Sequence, residues 1–364
     1  MTPAELSRAV LTTVRRAVAA QELDVVVPEK IVVQRPPRPG CGDYATTVAL
    51  QLAGPAGRTP LEVAAILSRR LAKEPGIAQV EIAGPGFLNI TLDARAYGDV
   101  VRQVRAQGGQ YGYGDGLADE PVTVAADRDD VRERVVAEAV NRLARAAGAP
   151  AGPPERLTVA PAPAPETTLG PDETRWALLR PPAEDTPRLT ADLLAQRESN
   201  PLFRVRYAHA RTRALLRNAH DLGVDPEAPA SREAPRNPAH RAVPDARNNS
   251  SAPANPGPRK NPAPSENADP CYHHPAETEL LGLIADFPRV IETAARRRAP
   301  DRLARHLERL ADAFFRFHDE CPPLPKGEEK PSAVHAARLR LADATGVVLA
   351  GGLHLLGITA PDHL

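Results

Sequence analysis

Arginine side chains recur along one segment in the second half of the chain, at the spacing of a single helix. Residues 202–222 hold one acidic residue and five arginines: Arg204, Arg206, Arg211, Arg213 and Arg217. At about 100° per residue, Arg206, Arg213 and Arg217 fall within about 40° of one another and predict a solvent-facing basic ridge. Arginine binds phosphates in a bidentate manner and stacks on bases, so RNA contact is the chemistry that this ridge favours. An ordinary solvated helix face is the alternative.

The opposite face of this segment predicts burial. It is formed by small and apolar residues: Val205, Ala208, Thr212, Leu215 and Ala219. Arg204 and Arg211 border this stripe, on the side where Tyr207 lies. An exposed tyrosine stacks on an unpaired base, a contact worth roughly 1–3 kcal/mol.

A second candidate site lies in the first hundred residues. Residues 79–82 and 87–92 alternate in polarity, and Ala-Gly-Pro-Gly joins them, which predicts two strands and a tight turn. Strand alternation places Phe87 and Asn89 on one face, where the ring can stack on a base and the amide can hydrogen-bond its edge. A core phenylalanine with a turn-facing asparagine is the alternative.

Other polar groupings predict structure rather than chemistry. Residues 127–130 place three aspartates and an arginine at a strand-to-helix turn, where helix capping is a better explanation than a metal-bridged site. Cys271, His273 and His274 are clustered but lack a fourth metal ligand in sequence. Residues 108–116 are glycine-rich, but a helix precedes them, so a hinge is favoured over a phosphate loop.

Composition limits the possible function classes. Forty-six basic and 46 acidic residues cancel, so any basic surface must be local. More than half of the 40 prolines fall in residues 148–190 and 225–275. The first of these windows predicts a linker, and the second, poor in apolar residues, predicts disorder. The sequence has three widely spaced cysteines, and it shows neither a secretory leader nor an apolar run of about 18 residues. We therefore expect a soluble cytoplasmic protein.

The elements that position these residues follow from capping and periodicity. Thr2 and Thr59 each precede a proline and, three residues on, a glutamate, which predicts two helix starts. Further helices are expected at 95–107, which would close the N-terminal unit, and at 131–147, with strands at 31–33 and 122–124. Helical periodicity returns from 172 to 223, with breaks, and in three segments after residue 276. The predicted fold class is α+β, with an N-terminal α+β domain and a C-terminal helical bundle.

Two separated regions of the sequence resemble arginyl-tRNA synthetase. Gly-Asp-Tyr-Ala-Thr at 42–46 and Ala-Gly-Pro-Gly-Phe-Leu-Asn-Ile at 83–90 resemble the N-terminal additional domain of that family. Asn-Pro-Leu-Phe-Arg-Val-Arg-Tyr-Ala-His-Ala-Arg at 200–211 resembles its anticodon-binding helix, and residues 355–361 resemble its C-terminus.

This resemblance implies roles for individual residues. Phe87 and Asn89 match the pair that holds an exposed adenine of the tRNA D-loop, and Tyr207 and Arg211 match anticodon-contacting residues. Where Arg204 stands the family commonly has a tyrosine, and where Arg206 stands it often has a glutamine. We therefore expect phosphate affinity at the expense of base selectivity.

The middle of the chain departs from the family. The family's catalytic domain is Rossmann-like and carries a His-x-Gly-His element and a lysine-rich motif, and neither occurs in this sequence. Residues 122–147 resemble the first strand and helix of that domain, and residues 170–176 resemble the segment that follows it. About 50 residues separate these landmarks, whereas one βαβ unit alone needs about 30 and a nucleotide crevice needs two halves. We therefore expect a paralogue whose catalytic core is deleted, a pseudoenzyme without a cofactor.

The resemblance divides the chain into five expected segments: the N-terminal additional domain at 1–110, a linker with a truncated Rossmann remnant at 111–171, the first part of the anticodon-binding bundle at 172–224, the disordered proline-rich insert at 225–275, and the rest of the bundle at 276–364. It implies a non-catalytic tRNA-binding protein that contacts the tRNA elbow and anticodon arm, with arginine-accepting tRNA as the first candidate partner. An accessory or regulatory subunit of a separate arginyl-tRNA synthetase, or a protein-interaction scaffold, are the alternatives. Neither DNA nor a membrane is an expected partner.

Overall fold

The structure is a computed structural model that describes residues 1–36, 42–127, 129–165, 167–227, 272 and 274–364. The N-terminal part combines helices with a four-stranded antiparallel sheet, whose strands lie in the order β1-β2-β4-β3. The elements are α1 (Pro3–Ala19), β1 (Val33–Gln34), β2 (Tyr44–Thr46), α2 (Val48–Ala53), α3 (Pro60–Leu71), β3 (Ile77–Ala83), β4 (Phe87–Leu92) and α4 (Ala94–Gln107).

Reciprocal capping starts helices α1 and α3, as the sequence predicts. The Thr2 hydroxyl accepts from the Glu5 amide, and the Glu5 carboxylate accepts from the Thr2 amide at 2.7 Å. Thr59 and Glu62 repeat the arrangement at the start of α3. Each box satisfies backbone donors that the first helical turn leaves without intrahelical partners.

The predicted hairpin is also present. Strands β3 and β4 pair antiparallel with Ala83 opposite Phe87, and every second residue of β4 from Leu88 onwards is buried in the domain core. Gly86 has a φ of +136° and lies so close to the start of α3 that a β-carbon would fall 2.9 Å from the Pro60 Cβ. A glycine is therefore required on both conformational and steric grounds.

Two short elements of this domain were not anticipated. Strand β2 has three residues and helix α2 has six, too few for a periodic pattern to be distinct. The strand expected at residues 31–33 begins only at Val33.

The middle of the chain forms one small strand–helix–strand unit. Strand β5 (Val124–Ala125) is followed by α5 (Val131–Ala146), and β6 (Glu155–Arg156) pairs with β5 in parallel. Asp130 caps α5 by accepting from the Glu133 amide at 2.9 Å, so capping does explain this aspartate. Arg128 lies outside the described residues.

Arg132 holds the first proline-rich window against this unit. Its guanidinium is fully buried and donates to the carbonyls of Ala160, Pro182 and Asp185 at 2.6–2.8 Å. Three backbone acceptors around one cation stabilise the segment. The predicted linker is therefore packed against α5 where these carbonyls lie.

The C-terminal part is a helical bundle. Its helices are α6 (Pro171–Leu179), α7 (Pro201–Asp221), α8 (Pro275–Arg296), α9 (Asp301–Glu320) and α10 (Ala333–Leu356). Leucine, alanine and phenylalanine side chains from α7 to α10 form one continuous core, which also includes the buried face of α5. Most of the proline-rich insert expected at 225–275 lies outside the described residues.

The sequence led us to expect that helix α4 closes the N-terminal domain. In the structure it packs into the helical bundle instead. Its buried side chains Tyr97, Val100, Val101 and Val104 belong to the bundle core, where α4 packs against α8 and α10. Ala96 alone among its core residues packs with the N-terminal core. The helix is thus the covalent and packing link between the two parts.

An ion cluster centred on the buried carboxylate of Asp286 joins the N-terminal domain to α8. The Arg35 Nε lies 3.3 Å from the Asp286 carboxylate, and Arg289 approaches the same oxygen at 3.4 Å. The Arg35 guanidinium occupies the space where residue 282 would otherwise carry a β-carbon, so Gly282 admits it against the helix. At the edge of this contact Lys30 pairs with Glu292 at 3.0 Å.

The glycine-rich joint is packed rather than open. The Tyr111 hydroxyl donates to the Ile284 carbonyl at 3.1 Å, and its ring stacks on Phe287. Gly112 has a φ of +94°, and a β-carbon there would lie 2.7–2.8 Å from Ile291 and Phe287. The segment expected as a hinge therefore forms part of the interface with α8.

In the part of the chain that the structure describes, helix α10 alone is long and apolar enough to cross a membrane by length and composition. Its most apolar window is 67% buried inside the bundle. The core helix of a globular bundle meets the same criterion, which accounts for this hydropathy.

The fully buried imidazole of His306 predicts a pH-dependent stability. Burial, followed by the nearby charges of Arg309, Arg289 and Arg35, lowers the pKa of His306 from 6.5 to about 3. The unfolded chain binds this proton near pH 6.5 and the folded chain does not, so stability falls as the pH drops below 6.5. The loss is at most about 1.4 kcal/mol per pH unit. The free energy of unfolding of His306→Leu, measured with urea at pH 7, 6 and 5, should lack this part of the pH dependence. A pH dependence equal to that of the wild type would contradict the prediction.

Candidate RNA-binding surfaces

Helix α7 begins with a strong cap and buries the predicted stripe. The Asn200 side chain accepts from the Leu202 amide at 3.1 Å and donates to the carbonyls of Leu193 and Ala195. The apolar stripe expected from the sequence is buried throughout: Val205, Ala208, Thr212, Leu215 and Ala219. The orientation of α7, and with it the set of residues that it can expose, is fixed by this burial.

Three aromatic rings form a stack on the surface of the bundle. Tyr207 is 40% exposed and lies between Phe203 and Phe315, with ring centroids 5.5 and 5.7 Å away and ring planes within 25° of parallel. The Arg204 guanidinium lies 5.3 Å above the Phe315 ring and pairs with Asp312. The two neighbouring rings fix the orientation in which the exposed part of Tyr207 is presented to solvent.

Three arginines of α7 share the exposed surface beyond the stack. Arg211 lies 3.5 Å from the His318 imidazole, while Arg213 and Arg217 contact the C-terminal tail. The Arg213 Nε is 3.3 Å from the Asp362 carboxylate, and Arg217 Nη2 is 3.5 Å from the Asp362 carbonyl oxygen. Of the basic ridge predicted from the sequence, Arg213 and Arg217 are exposed, and Arg211, which was expected to border the apolar stripe, is exposed beside them.

Arg206 does not belong to the exposed ridge, which corrects the helical-wheel prediction. Its side chain is 20% exposed and faces Glu173 at 3.4 Å and Asp172 at 4.0 Å, both in the first turn of α6. A helical wheel places Arg206 beside Arg213 because it contains no neighbouring helix. The packing of α6 over this end of α7 turns Arg206 into an internal ion-pair partner.

His209 serves the scaffold. The ring is buried, and Nδ1 lies 2.9 Å from the Pro361 carbonyl. Burial lowers its pKa, and the hydrogen bond to Pro361 opposes that shift. The imidazole thus ties the C-terminal tail to α7 instead of facing solvent.

Phe87 and Asn89 share a face of the hairpin, as the alternation predicts. Phe87 is 37% exposed and Asn89 is partly exposed, whereas Leu88 and Ile90 between them are fully buried. In the sheet Asn89 stands opposite Ala45 on one side and Glu81 on the other. The alternative of a core phenylalanine is wrong for this hairpin.

The Gly-Asp-Tyr-Ala-Thr segment supports the hairpin. The Asp43 carboxylate accepts from the Leu92 amide at 2.7 Å and from the Tyr97 hydroxyl at 2.5 Å. It therefore ties the end of β4 to α4. Its role in the structure is positional.

Sequence reasoning missed two members of the aromatic stack. Phe203 precedes Tyr207 by four residues, a spacing that brings side chains together on a helix and would have revealed the pair. Phe315 comes from α9, and no local signal links it to α7. Only the packing of α9 against α7 brings it to the site.

No metal site is apparent in the described part of the chain, which contains no group of three or more His, Cys, Asp or Glu residues able to hold an ion. His274 caps α8 by accepting from the Ala276 amide. Cys271 and His273 lie outside the described residues.

The two halves match two protein families. Residues 5–92 match the arginyl tRNA synthetase N terminal domain, and residues 254–364 match the DALR anticodon binding domain. The second match begins after α7, so the assignment of α7 depends on its sequence motif and its packing. These two matches make the chain similar to aminoacyl-tRNA synthetases at both ends.

Individual relatives narrow this class. The arginine–tRNA ligase of Frankia alni is 27% identical in an alignment of 589 positions that covers all of both chains. That of Paenarthrobacter aurescens is 37% identical over 197 residues, 54% of this chain and 29% of the ligase. Thermus thermophilus arginyl-tRNA synthetase has a similar fold, with a TM-score of 0.57 and 13% identity over all of both chains. The chain therefore combines an arginyl-tRNA synthetase N-terminal domain with a DALR anticodon-binding domain.

The exposure of Phe87 predicts an unequal pair of substitutions in β4. Phe87→Ala should lower the free energy of unfolding by less than about 1 kcal/mol, because the ring is partly in solvent. Leu88→Ala, which empties a core site, should cost about 2–5 kcal/mol. Urea unfolding of the two variants measures both. Equal losses would mean that Phe87 is a core residue.

Proposed function

We propose that the chain is a non-catalytic tRNA-binding protein that contacts the anticodon arm with its bundle and the elbow with its N-terminal domain. The stack of Phe203, Tyr207 and Phe315 carries the proposal. An exposed tyrosine flanked by arginines suits an unpaired base and its phosphates, and such bases occur in the loops of folded RNA. Arg204, Arg211, Arg213 and Arg217 are the flanking cations, and arginine-accepting tRNAs are the first partners to test.

The elbow contact uses Phe87 and Asn89. The exposed ring offers a stacking surface, and the neighbouring amide both donates and accepts hydrogen bonds. Their common face supports joint recognition of one base. Arg206, committed to Glu173, contributes to the position of α7 rather than to an RNA contact.

The C-terminal tail influences the phosphate-binding arginines. Arg213 and Arg217 contact Asp362 and His363 at 3.3–3.5 Å, and both arginines remain at the surface. Surface ion pairs are worth at most about 1 kcal/mol. An RNA phosphate can therefore replace the tail carboxylate at little cost.

The size of the middle region supports the non-catalytic part of the proposal. Strand β6 ends at Arg156 and α6 begins at Pro171, so one βαβ unit stands where a nucleotide crevice requires two halves. The alignment to the Frankia ligase extends over 589 positions, against 364 residues in this chain. Phosphoryl and nucleotidyl transfer depend on positioned cations, and the acidic turn at residues 127–130 opposes a nucleoside triphosphate.

Arginine–tRNA ligation is the second candidate, favoured by the name that the relatives carry. Arginine-dependent exchange of pyrophosphate into ATP by the purified chain separates the two. We expect no exchange above a no-enzyme control. Exchange that requires arginine would establish the ligase and end the non-catalytic proposal.

The chain is proposed to act in the cytoplasm, where its tRNA partners are found. A full-length arginyl-tRNA synthetase is a further partner in this proposal. Capture of that synthetase from lysate, repeated after ribonuclease treatment, distinguishes a direct contact from one bridged by tRNA.

Removing two ridge arginines tests the RNA contact. Arg213→Ala plus Arg217→Ala should weaken tRNA binding at ~0.15 M salt. It should also flatten the slope of log affinity against log salt by about 1.5–2, because two phosphate contacts are lost. Fluorescence anisotropy with a labelled tRNA over a salt series measures both quantities.

The matched control removes two exposed arginines of α9, Arg302→Ala plus Arg305→Ala, away from the aromatic stack. It should retain the wild-type slope. An equal change in the two double variants would show non-specific attraction, and no preference of the wild type for tRNA over a random duplex would remove specific recognition.

A further inference from the structure

A cleft in the N-terminal domain has neither Phe87 nor Asn89 in its lining. Its volume is about 590 Å³, and it opens between the C-terminal half of α1 and the last turn of α3. Four cations and two carboxylates line it, together with Thr13, Ile66 and Pro75. The charged residues are Arg16, Arg69, Arg70, Lys73, Glu22 and Glu74.

The cations outnumber the carboxylates, and the ion pairs leave donors available. Arg70 makes a two-point contact with Glu22 at 2.8–2.9 Å, and Arg16 uses only Nη1 on Glu74. The Lys73 ammonium makes no ion pair within 4 Å of any carboxylate in the described ranges. The cations converge on one place: the pKa of Glu22 is lowered first by its hydrogen bond from Arg70, then by the charges of Arg70, Arg69 and Lys73.

A buried hydroxyl provides an independent observation. Thr13 lines the cleft, is 1% exposed, and its Oγ1 has no hydrogen-bond partner among the described residues. A buried hydroxyl without a partner costs about 1–3 kcal/mol. Basic residues at the end of α3 also offset the partial charge of its last carbonyls, but that effect leaves Thr13 unexplained.

We propose that this cleft binds phosphate groups, with Arg69, Lys73 and Arg16 as the cationic contacts and Thr13 as a neutral donor. Guanidinium and ammonium groups with one hydroxyl form a donor set suited to phosphate oxygens. Two sources share this chemistry: an RNA backbone and a free polyphosphate.

The position of the cleft favours the RNA backbone, an assignment that depends on the proposed function. Gly86 of the hairpin contacts Pro60 at the start of α3, and Arg69 lies nine residues further along the same helix. At 1.5 Å per residue this is about 14 Å. A base on Phe87 and phosphates in the cleft can thus belong to one RNA loop.

The test compares one charge-reversal variant with one matched control. Arg69→Glu plus Lys73→Glu alters the cleft, and Arg302→Glu plus Arg305→Glu alters the same number of charges on α9. Isothermal titration with inorganic tripolyphosphate at ~0.15 M salt should give binding that the cleft variant weakens by at least about tenfold and the control leaves unchanged. Absence of tripolyphosphate binding, or equal weakening in both variants, would overturn the proposal.

Thr13→Val separates binding from structure. Replacing the hydroxyl by a methyl group of similar shape should leave the urea midpoint unchanged or raise it, yet weaken tripolyphosphate binding about threefold or more. Unchanged binding in this variant would remove Thr13 from the donor set and leave only a charged surface, which contradicts a built site.

Parallel titrations with tRNA identify the source of the phosphate. If the cleft variant loses affinity for both tripolyphosphate and tRNA, and tripolyphosphate competes with tRNA, the cleft holds the RNA backbone. Loss of tripolyphosphate binding with unchanged tRNA affinity assigns a free polyphosphate. If the wild type binds tripolyphosphate but no tRNA, the proposed function fails while the phosphate cleft stands.

Discussion

The contact between the N-terminal domain and helix α8 fixes the relative positions of all other surfaces. Asp286 is 5% exposed and is approached by Arg35 from one domain and by Arg289 from its own helix. Asp286 is the buried member of this cluster, and removing both arginines would leave its carboxylate without a counter-charge. The cluster therefore imposes a specific docking geometry, and Gly282 makes room for it.

This docking has a consequence for the proposed recognition of RNA. Helix α4 is buried in the bundle core, and Tyr111 hydrogen-bonds α8, so the hairpin of Phe87 and the stack of Tyr207 belong to one packed body. Two surfaces held at a fixed separation select partners by shape as well as by sequence. A rigid arrangement also avoids the entropic cost of ordering two independent domains on one ligand.

The exposed surface of α7 is formed by several interactions that each contribute little free energy. Each ring contact contributes on the order of 1 kcal/mol, and each exposed arginine pair at most about as much. Their joint effect depends on positioning, because Asn200 caps the helix and His209 anchors the tail. The interactions that hold the surface are buried, whereas those offered to a ligand are weak, exposed and exchangeable.

Local signals in the sequence predicted most of the helices and the principal hairpin. Thr2 and Thr59 predicted the starts of their helices correctly, because a capping box involves only four consecutive residues. The strand alternation put Phe87 and Asn89 outward because the period of a strand is two. Strand β2 and helix α2 were not predicted, because segments of three and six residues are too short to show a periodic pattern.

Other features depended on residues far apart in the chain. Arg206 was predicted to face solvent, and the approach of Asp172 and Glu173 from α6 decided otherwise. Helix α4 has an apolar face, but the sequence does not indicate which element packs against it. In the structure that face packs against the bundle. The phosphate cleft likewise combines α1 with the end of α3, about fifty residues on.

The sequence by itself determined the elements, the buried stripe of α7 and the resemblance to two synthetase domains, since each depends on neighbours within a few turns. Only the tertiary structure decided which exposed residues meet. Phe315 completes the aromatic stack, and Asp362 reaches Arg213, because packing free energy selects one arrangement of helices from many with the same local pattern. The five arginines of one helix are alike in sequence, and their neighbours give them different roles.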